Sequence, residues 1–329
     1  MQMQIKDLGE FGLIKALLRD QPHFEGVIVP AGDDAAVVEI TSGMRIVYTC
    51  DCMVEDVHFL ATARGEDVGF KLLASNISDI AAMGGKPRFA VITLVAPGET
   101  LVEWLQDVYR GLGECCVLYG VALVGGDTSR GPKIMLNIAL IGEIEPGKEM
   151  LRKNAQVGDL VCVTGPLGGS AAGLRVVTGK VPRGLPVAPY VLAKHYQPHP
   201  RVEEGQALTR LGCKCANDIS DGLASEALEI AEASGVSIEL VDEDIPICSK
   251  AEQIAKHSGE DPLGYALYGG EDYELVFCIA PSLLPQLIQV LPGASVVGTV
   301  KRGQGVSLLS ASGARPINTA YNHFNKGDL

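Results

Sequence analysis

The sequence predicts a mixed α/β protein of two domains. Strand-like runs rich in Val and Ile alternate along the chain with longer segments of helical periodicity. A length of 329 residues exceeds what one hydrophobic core ordinarily serves. Hydrophobic residues make up 47% of the chain and charged residues 20%, a balance that is typical of a globular protein and excludes general disorder.

The predicted strands are short apolar runs bounded by turn residues. They cover residues 26–30, 35–40, 45–50, 88–96, 121–124, 133–143, 159–164, 236–241, 274–280 and 295–300. The predicted helices are longer, and several begin after Asp, Ser or Pro and end at Gly, as helix ends prefer. They cover residues 8–19, 66–83, 99–119, 169–179, 201–211, 219–234 and 282–291. A turn at Glu145-Pro-Gly predicts a boundary near residue 148, which gives domains 1–148 and 149–329.

Charge and cysteine usage narrow the possible partners. The 27 Lys and Arg residues against 40 Asp and Glu residues give a formal charge of −13, which repels nucleic acid and anionic membranes and favours a small ligand carrying Mg²⁺ or its own positive charge. No signal peptide or membrane-spanning run is visible, so we expect a cytoplasmic protein. The nine cysteines form no C-x-x-C pair and are expected to be reduced core residues.

Acidic residues gather in five short, glycine-flanked clusters. Like charges on small turns repel one another unless cations neutralise them, so the pattern predicts several Mg²⁺ ions that clamp a polyphosphate, and phosphoryl transfer as the activity. Any one cluster alone also fits an ordinary Asp-rich turn or helix cap. The clusters lie at residues 31–34, 49–51, 76–79, 125–128 and 217–221.

Two clusters of the first domain are placed on regular elements. Asp51 is expected to end the strand at 45–50, a position where α/β folds commonly carry ligand-binding groups. Asn76 and Asp79 share one face of the predicted helix 66–83, amid leucine and isoleucine. A carboxylate in such apolar surroundings must be paired, bound to a metal or protonated, so a salt bridge remains an alternative to a metal site.

Glycines mark a third position in the first domain. Gly125 and Gly126 follow the strand at 121–124 and would let backbone N–H groups approach an anion, while Asp127 supplies a metal ligand beside them. This combination suits a nucleotide phosphate. Arg152 offers forked donors for a second phosphate contact, although a lone arginine is more often a surface residue.

The second domain carries an acidic cluster of its own. The predicted helix at 219–234 would place Asp218, Ser220 and Asp221 at its positive end, and we expect them to contribute to the same site. The chain has no G-x-x-x-x-G-K-[ST] loop, no dinucleotide fingerprint, no protein-kinase signature and no G-x-S-x-G elbow. If ATP binds, it is therefore expected to bind through metal-bridged carboxylates.

Taken in order, the motifs resemble those of the thiamine-monophosphate kinases. The resemblance runs from about residue 8 to residue 324 and is carried chiefly by Gly32-Asp-Asp-Ala-Ala, Asn76-Ile-Ser-Asp-Ile-Ala-Ala-Met-Gly, Gly125-Gly-Asp-Thr, Asp218-Ile-Ser-Asp-Gly-Leu, Gly269-Gly-Glu-Asp-Tyr-Glu-Leu and Tyr321-Asn-His-Phe. It implies the two-domain fold of the aminoimidazole ribonucleotide synthetase superfamily, with N-terminal sheets paired across a homodimer. It also implies transfer of the γ-phosphoryl group of ATP to thiamine monophosphate, directly and in line, with several Mg²⁺ ions.

The resemblance assigns roles residue by residue. It implies a Mg²⁺ shell of Asp34, Thr49, Cys50, Asp51, Asp79, Asp127, Asp218 and Asp221, with Cys50 acting through its backbone carbonyl. Of these, Asp51, Asp79, Asp127 and Asp218 are expected to be catalytic. The ATP-binding residues would be Tyr109, Gly126, Asp127, Arg152 and Ser220, and the residues for thiamine monophosphate would be His58, Glu271 and Tyr321.

Three alternatives remain open. A selenophosphate synthetase or a hydrogenase maturation dehydratase would need a reactive Cys near the start or end of the chain, and the first Cys here is Cys50. A ribonucleotide synthetase would act on a formylglycinamidine substrate. A non-catalytic sensor would bind Mg-nucleotide without consuming it.

Overall fold

The structure, a computed structural model, describes residues 3–19, 22, 24–31 and 35–317. The chain divides into two compact units. Unit 1 comprises Met1–Ile80 and Gly85–Pro146, and unit 2 comprises Ala81–Gly84 and Gly147–Leu329. The division after Pro146 lies two residues before the boundary expected near 148.

Unit 1 is built around a four-stranded sheet in the order β3-β6-β4-β5, in which β4 and β5 are parallel and the other neighbours are antiparallel. Two short strands, β1 and β2, pair separately. The elements are α1 (Ile5–Leu18), β1 (Val27–Val29), β2 (Val37–Val38), β3 (Arg45–Val54), α2 (Gly65–Ala82), β4 (Lys86–Ala96), α3 (Val102–Tyr119), β5 (Ala122–Arg130) and β6 (Met135–Ile144).

The sheet of unit 1 has one covered face and one open face. Along β3, Met53 is buried, whereas Ile46 and Tyr48 are 52% and 66% exposed. The alternation along β3 therefore sets which residues face the core.

Helices α2 and α3 cross closely because Gly69 and Gly111 carry no side chain. A Cβ at either glycine would come within 1.9 Å of a backbone oxygen of the facing helix.

Unit 2 contains a seven-stranded sheet in the order β13-β12-β9-β11-β7-β10-β8, in which the β9–β12 pair is parallel. Its elements are β7 (Leu160–Val163), α4 (Gly169–Val177), α5 (Ala188–Tyr196), α6 (Val202–Leu211), β8 (Cys215–Asp218), α7 (Leu223–Ser234), β9 (Ser237–Val241), α8 (Ser249–Ser258), α9 (Pro262–Tyr268), β10 (Leu275–Ile279), α10 (Leu284–Val290), β11 (Ser295–Lys301), β12 (Gly305–Ser310) and β13 (Gly313–Ile317).

Strand β10, which lies between β7 and the edge strand β8, is buried at every position, because both faces of the sheet are covered there. Val276 and Cys278 join a hydrophobic cluster that includes α7 residues, while Phe277 joins a different cluster that includes α6 and α10 residues. The alternate side chains of one strand thus serve two cores.

The structure confirms a mixed α/β fold and differs from the sequence prediction at several elements. The strands predicted at 45–50 and 121–124 extend to Val54 and Arg130, and the helix predicted from 219 begins at Leu223. The prediction missed β8, β12, β13, α5, α8 and α9, which are short, polar or rich in Gly and Ser. No helix in the described part of the chain is long and apolar enough to cross a bilayer.

Candidate functional site

In unit 1, strand β3 and helix α2 bring four of the singled-out residues together. Thr49 and Asp51 alternate with Cys50 and project from the same face of β3. The hydroxyl of Thr49 donates to Oδ2 of Asp79, and the backbone N–H of Asp51 donates to Oδ1 of Asn76 over 3.0 Å. Asp51 lies three residues inside β3 and not at its end, which corrects the sequence prediction.

The surroundings of Asp51 disfavour its negative charge. Burial raises the pKa of the Asp51 carboxyl above its ordinary value, against a hydrogen bond with Ser75 and the nearby charge of His58, both of which lower it. Asn76 is fully buried, and its Nδ2 donates to the carbonyl of Leu72 over 2.9 Å. A cation close to Asp51 would therefore relieve a real electrostatic cost.

His58 is held by the turn that follows β3. Its Nδ1 accepts from the backbone N–H of Val54 over 3.1 Å, and the backbone N–H of His58 donates to the Val54 carbonyl over 2.9 Å. Because Nδ1 accepts a hydrogen bond, a neutral ring carries its proton on Nε2. The histidine is thereby fixed in the vicinity of Asp51.

Strand β5 carries the glycine pair and Asp127. A Cβ at Gly126 would come within 2.1 Å of the Ile92 carbonyl oxygen, so this position requires glycine. The register pairs Gly126 with Ile92 and Asp127 with Thr93, so both residues lie inside the strand. The sequence prediction had placed them after the strand, and this is corrected. Alternation then places Asp127 on the sheet face opposite to that of Asp51.

Tyr109 and Cys50 are the remaining described residues of unit 1 to which the sequence analysis gave a role. Tyr109 is buried on α3, and burial raises the pKa of its hydroxyl. Cys50 is exposed on the open face of the sheet, where its sulfur accepts from Nδ2 of Asn137 over 3.1 Å. Among the described residues, no three or more His, Cys, Asp or Glu side chains lie close enough together to hold a metal ion. Asp34 lies outside the described residues.

In unit 2, the acidic cluster precedes its helix instead of opening it. Asp218 is the last residue of β8 and is buried, Ser220 and Asp221 follow in a turn, and α7 begins only at Leu223. Gly222 has a φ of 104°, a conformation that side chains disfavour, and it separates the turn from the helix. The prediction that these residues lie at the helix terminus is therefore corrected.

A buried glutamate that the sequence analysis did not single out holds this turn. Oε1 of Glu226 accepts from the backbone N–H of Asp221 over 2.8 Å and from the N–H and hydroxyl of Ser220, each over 3.3 Å. Its Oε2 accepts from Nδ2 of Asn217 over 2.7 Å. Burial, followed by the neighbouring acids, raises the pKa of Glu226 to about 9.

One signal in the sequence could have revealed Glu226. It lies on the same helical face as Leu223, Ala227 and Ile230, all of which are buried. An acid on an otherwise apolar stripe needs a local partner, and the turn directly before the helix supplies it.

Arg152 is anchored beside the same turn. Its Nε donates to Oδ1 of Asn217 over 2.9 Å, and one terminal nitrogen lies 3.2 Å from Oε2 of Glu229. The side chain is about half exposed. A guanidinium oriented in this way keeps donors for an anion in addition to its present partners.

The segment 269–274 runs alongside the turn and is strained. Glu271 and Tyr273 have φ values of 57° and 51°, which non-glycine residues rarely adopt. The N–H of Glu271 donates to the Ser220 carbonyl over 2.7 Å, and the N–H of Tyr273 donates to that of Ile219 over 3.0 Å. The backbone thus fixes Glu271 directly beside the acidic turn.

The carboxylates of Asp272 and Glu274 anchor this strained segment to neighbouring elements of unit 2. Asp272 accepts from the backbone N–H groups of Gly168 and Ser170 over 2.6 and 3.1 Å at the start of α4, and burial raises its pKa to about 7. Glu274 pairs with Arg201 through two hydrogen bonds of 2.8 and 2.5 Å. Tyr321, the third residue assigned to the substrate, lies outside the described residues.

Comparison with known proteins gives the same family along nearly the whole chain. Residues 32–144 match the family described as AIR synthase related protein, N-terminal domain, and residues 156–310 match its C-terminal domain. The chain is 42% identical over 272 residues to the thiamine-monophosphate kinase of Bacillus subtilis, which covers 82% of each chain.

Solved structures agree. The structure of AaThiL complexed with AMPPCP and TMP has a TM-score of 0.79 and 33% identity, and the match covers 98% of this chain and all of that one. The thiamine-monophosphate kinase of Stenotrophomonas maltophilia K279a has a TM-score of 0.78 and 30% identity, with 90% and 94% of the two chains covered. The two-domain fold expected from the resemblance is confirmed.

Proposed function

The chain belongs to the thiamine-monophosphate kinase family of the AIR synthase related proteins, and from this premise we propose that it transfers the γ-phosphoryl group of ATP to thiamine monophosphate. The products would be thiamine diphosphate and ADP. The observation that carries the proposal is the match over nearly the full length to AaThiL, whose complex holds AMPPCP and TMP.

The residues of unit 1 fit a hard divalent cation. Thr49, Asp51 and Asp79 offer a hydroxyl and two carboxylates, the oxygen ligands that Mg²⁺ prefers. Burial already disfavours the charge of Asp51, so a bound cation would stabilise that side chain. Mg²⁺, when bound, neutralises phosphate charge and so permits two phosphate groups to approach one another.

The residues of unit 2 fit a phosphate chain and a cationic heterocycle. Arg152 and Ser220 would bind ATP, and the carboxylates of Asp218 and Asp221 would be further Mg²⁺ ligands. Glu271 would pair with the positively charged ring system of thiamine monophosphate. The other assigned roles remain predictions. They are the role of His58 in the substrate site, the roles of Asp34, Asp127 and Tyr321, and the Cys50 carbonyl as a metal ligand.

We expect the transfer to be direct. The acceptor is an ionised phosphate and needs no strong base, so positioning and charge stabilisation carry the catalysis. A single-turnover reaction with γ-labelled ATP, quenched early and separated by gel, should show no labelled protein. Label that appears on the protein and then moves to thiamine monophosphate would refute direct transfer.

We further propose a homodimer joined through the sheet of unit 1. The open face of that sheet presents Ile46, Tyr48 and Val91, the last of which is 40% exposed. An apolar sheet face of this kind favours association with a matching surface. The cytoplasmic location expected from the sequence also remains a prediction.

One assay tests the activity. Purified protein is mixed with Mg-ATP and thiamine monophosphate, and thiamine diphosphate is measured by chromatography. Its formation with equimolar ADP is the expected result. Nucleotide binding without consumption would indicate a sensor, and turnover only with a formylglycinamidine acceptor would indicate a ribonucleotide synthetase.

A further inference from the structure

A buried histidine of unit 2 lies against Glu271 and takes no part in the sequence motifs. His195 lies on α5 and is 4% exposed. Its Nδ1 is 3.0 Å from the hydroxyl of Ser170 and 3.4 Å from Oε2 of Glu271. The ring therefore faces a carboxylate that the proposed function uses for substrate.

The two partners determine where the ring carries a proton. An ionised carboxylate can only accept, whereas a serine hydroxyl can either donate or accept. A proton on Nδ1 suits both Glu271 and Ser170, whereas a lone pair there would face the negative charge of Glu271. Nδ1–H is therefore the form that the geometry favours.

Close packing holds the histidine in place. A Cβ at Gly173 of α4 would come within 2.2 Å of the Val191 carbonyl oxygen and 2.6 Å of the Cβ of His195, so α4 and α5 touch without a side chain between them. The ring of Tyr196 contacts the imidazole at a centroid distance of 5.0 Å. The position of Nδ1 is thus set by the helix pair and not by a flexible loop.

Glu271 has a fixed backbone and a partly exposed side chain. Its backbone N–H donates to the Ser220 carbonyl, but its side chain is 27% exposed. A glutamate side chain has several rotamers of similar energy, and holding it in one of them requires a contact near its carboxylate. His195 provides that contact from the buried side.

We propose that His195 is a positioning residue for substrate recognition: its Nδ1–H orients the carboxylate of Glu271 toward the cationic ring system of thiamine monophosphate. The inference rests on the proposed function. It predicts that His195 affects the binding of one substrate only, and that it acts entirely through Glu271.

The test is a double-mutant cycle in the steady-state kinase assay. We expect His195→Leu to raise KM for thiamine monophosphate by about tenfold or more, the loss typical of a charge-assisted hydrogen bond, with KM for ATP and kcat within twofold. Glu271→Gln should also raise KM for thiamine monophosphate. In the Glu271→Gln background, His195→Leu should add less than a twofold change.

Matched variants separate positioning from folding. His195→Asn, whose amide lies near the position of Nδ1, should keep KM close to wild type, whereas His195→Gln, whose amide lies farther out, should not. Ser170→Ala removes the hydroxyl near Nδ1, keeps Glu271 beside it, and should change KM by less than twofold. If His195→Leu fails to fold, as judged by thermal unfolding, the Asn and Gln pair decides the question.

The outcomes distinguish the inference from its premise. A wild-type protein without thiamine monophosphate kinase activity would refute the proposed function and the inference with it. An active wild type with additive effects in the cycle, with unchanged KM in His195→Leu, or with unchanged KM in Glu271→Gln, would refute the inference while the kinase activity stands.

Discussion

The two units carry their candidate residues in different ways. In unit 1, Thr49 and Asp51 project from strand β3 and Asp79 from the last turn of helix α2, with Asn76 and Ser75 beside Asp51. In unit 2, the acids lie in a turn after β8, held by a buried network that includes Glu226 and Asn217. A strand and a helix fix the positions of the first set, whereas the turn that carries the second set depends on the buried carboxylate of Glu226 for its shape.

The sheets of the two units also differ, in how many of their faces are covered. Strand β10 of unit 2 is buried at every position, while β3 of unit 1 alternates between a covered and an open face. The open face leaves Ile46 and Tyr48 more than half exposed, so they contribute little apolar burial to unit 1 itself. This contrast predicts that substitutions at Asp79 or on the open face of unit 1 change activity or assembly more than folding, and that substitutions in the Glu226 network of unit 2 affect folding as well.

The largest expected effect is on turnover from unit 1. Asp79→Asn keeps the shape of the side chain and still accepts from Thr49, but it removes the charge. We expect kcat to fall by about 10³-fold, or about 4 kcal/mol of transition-state stabilisation, with the melting temperature nearly unchanged. The control is Asp56→Asn, an exposed carboxylate paired with Lys133, which should keep wild-type turnover.

Normal turnover in Asp79→Asn at limiting Mg²⁺ would remove Asp79 from the metal site. A large loss of thermal stability would instead show that the unit 1 acids are structural, and the contrast between the units would fail.

The next effect is on assembly. Ile46→Lys combined with Tyr48→Lys places two charges on the open face, and each lost apolar side chain is worth roughly 1.5–3 kcal/mol when buried in an interface. We expect the dimer dissociation constant to rise by at least about 100-fold. Sedimentation over a concentration series measures it, and Ile288→Lys, on an exposed position of α10, is the matched control. A wild-type monomer at all concentrations contradicts the proposed dimer.

How far the sequence predicted these features depends on the kind of signal. Long periodic elements such as α2, α3 and β4 were predicted to within a few residues, since each buries a continuous apolar face. The grouping of Asn76 with Asp79 followed from helical spacing alone. Spacing could not show that Asp127 lies inside β5, because a strand containing two glycines carries a weak pattern.

The supporting residues of unit 2 were missed for a different reason. Glu226, His195 and Asp272 act through contacts between segments far apart in the chain, or through burial that only the fold creates. Glu226 was within reach of the sequence, as an acid on an apolar helix face. His195 was not, since its partners Ser170 and Glu271 are brought to it by tertiary packing.

A pH-dependent effect tests the buried network of unit 2. Burial raises the pKa of Glu226 to about 9 from 4.5, so the folded state holds this proton more tightly than the unfolded state. Its contribution to stability is complete below pH 4.5 and is lost as the pH rises toward 9. Glu226→Gln carries no such proton.

At low pH we expect Glu226→Gln to be less stable by roughly 1–3 kcal/mol, because its amide nitrogen cannot accept from Asn217. The difference from wild type should shrink as the pH rises. Denaturant midpoints at several pH values measure it, and Glu239→Gln, at a surface pair with Lys301, is the control whose difference from wild type should not shrink as the pH rises. A difference that grows with pH would contradict the raised pKa.

The smallest expected effect comes from changing the side chain of Cys50, a residue whose backbone carbonyl is the proposed Mg²⁺ ligand. The sulfur of Cys50 points to the open face of the sheet and accepts from Asn137, whereas the neighbouring Thr49 hydroxyl faces Asp79. If Cys50 contributes only its carbonyl oxygen, Cys50→Ser should change kcat and the Mg²⁺ requirement by less than about twofold, since a serine leaves the strand backbone as it is. Thr49→Val removes a hydroxyl of the covered face and should lower both turnover and Mg²⁺ affinity. Equal losses in the two variants would contradict the idea that the covered face of β3 carries the metal ligands while the open face serves only the dimer.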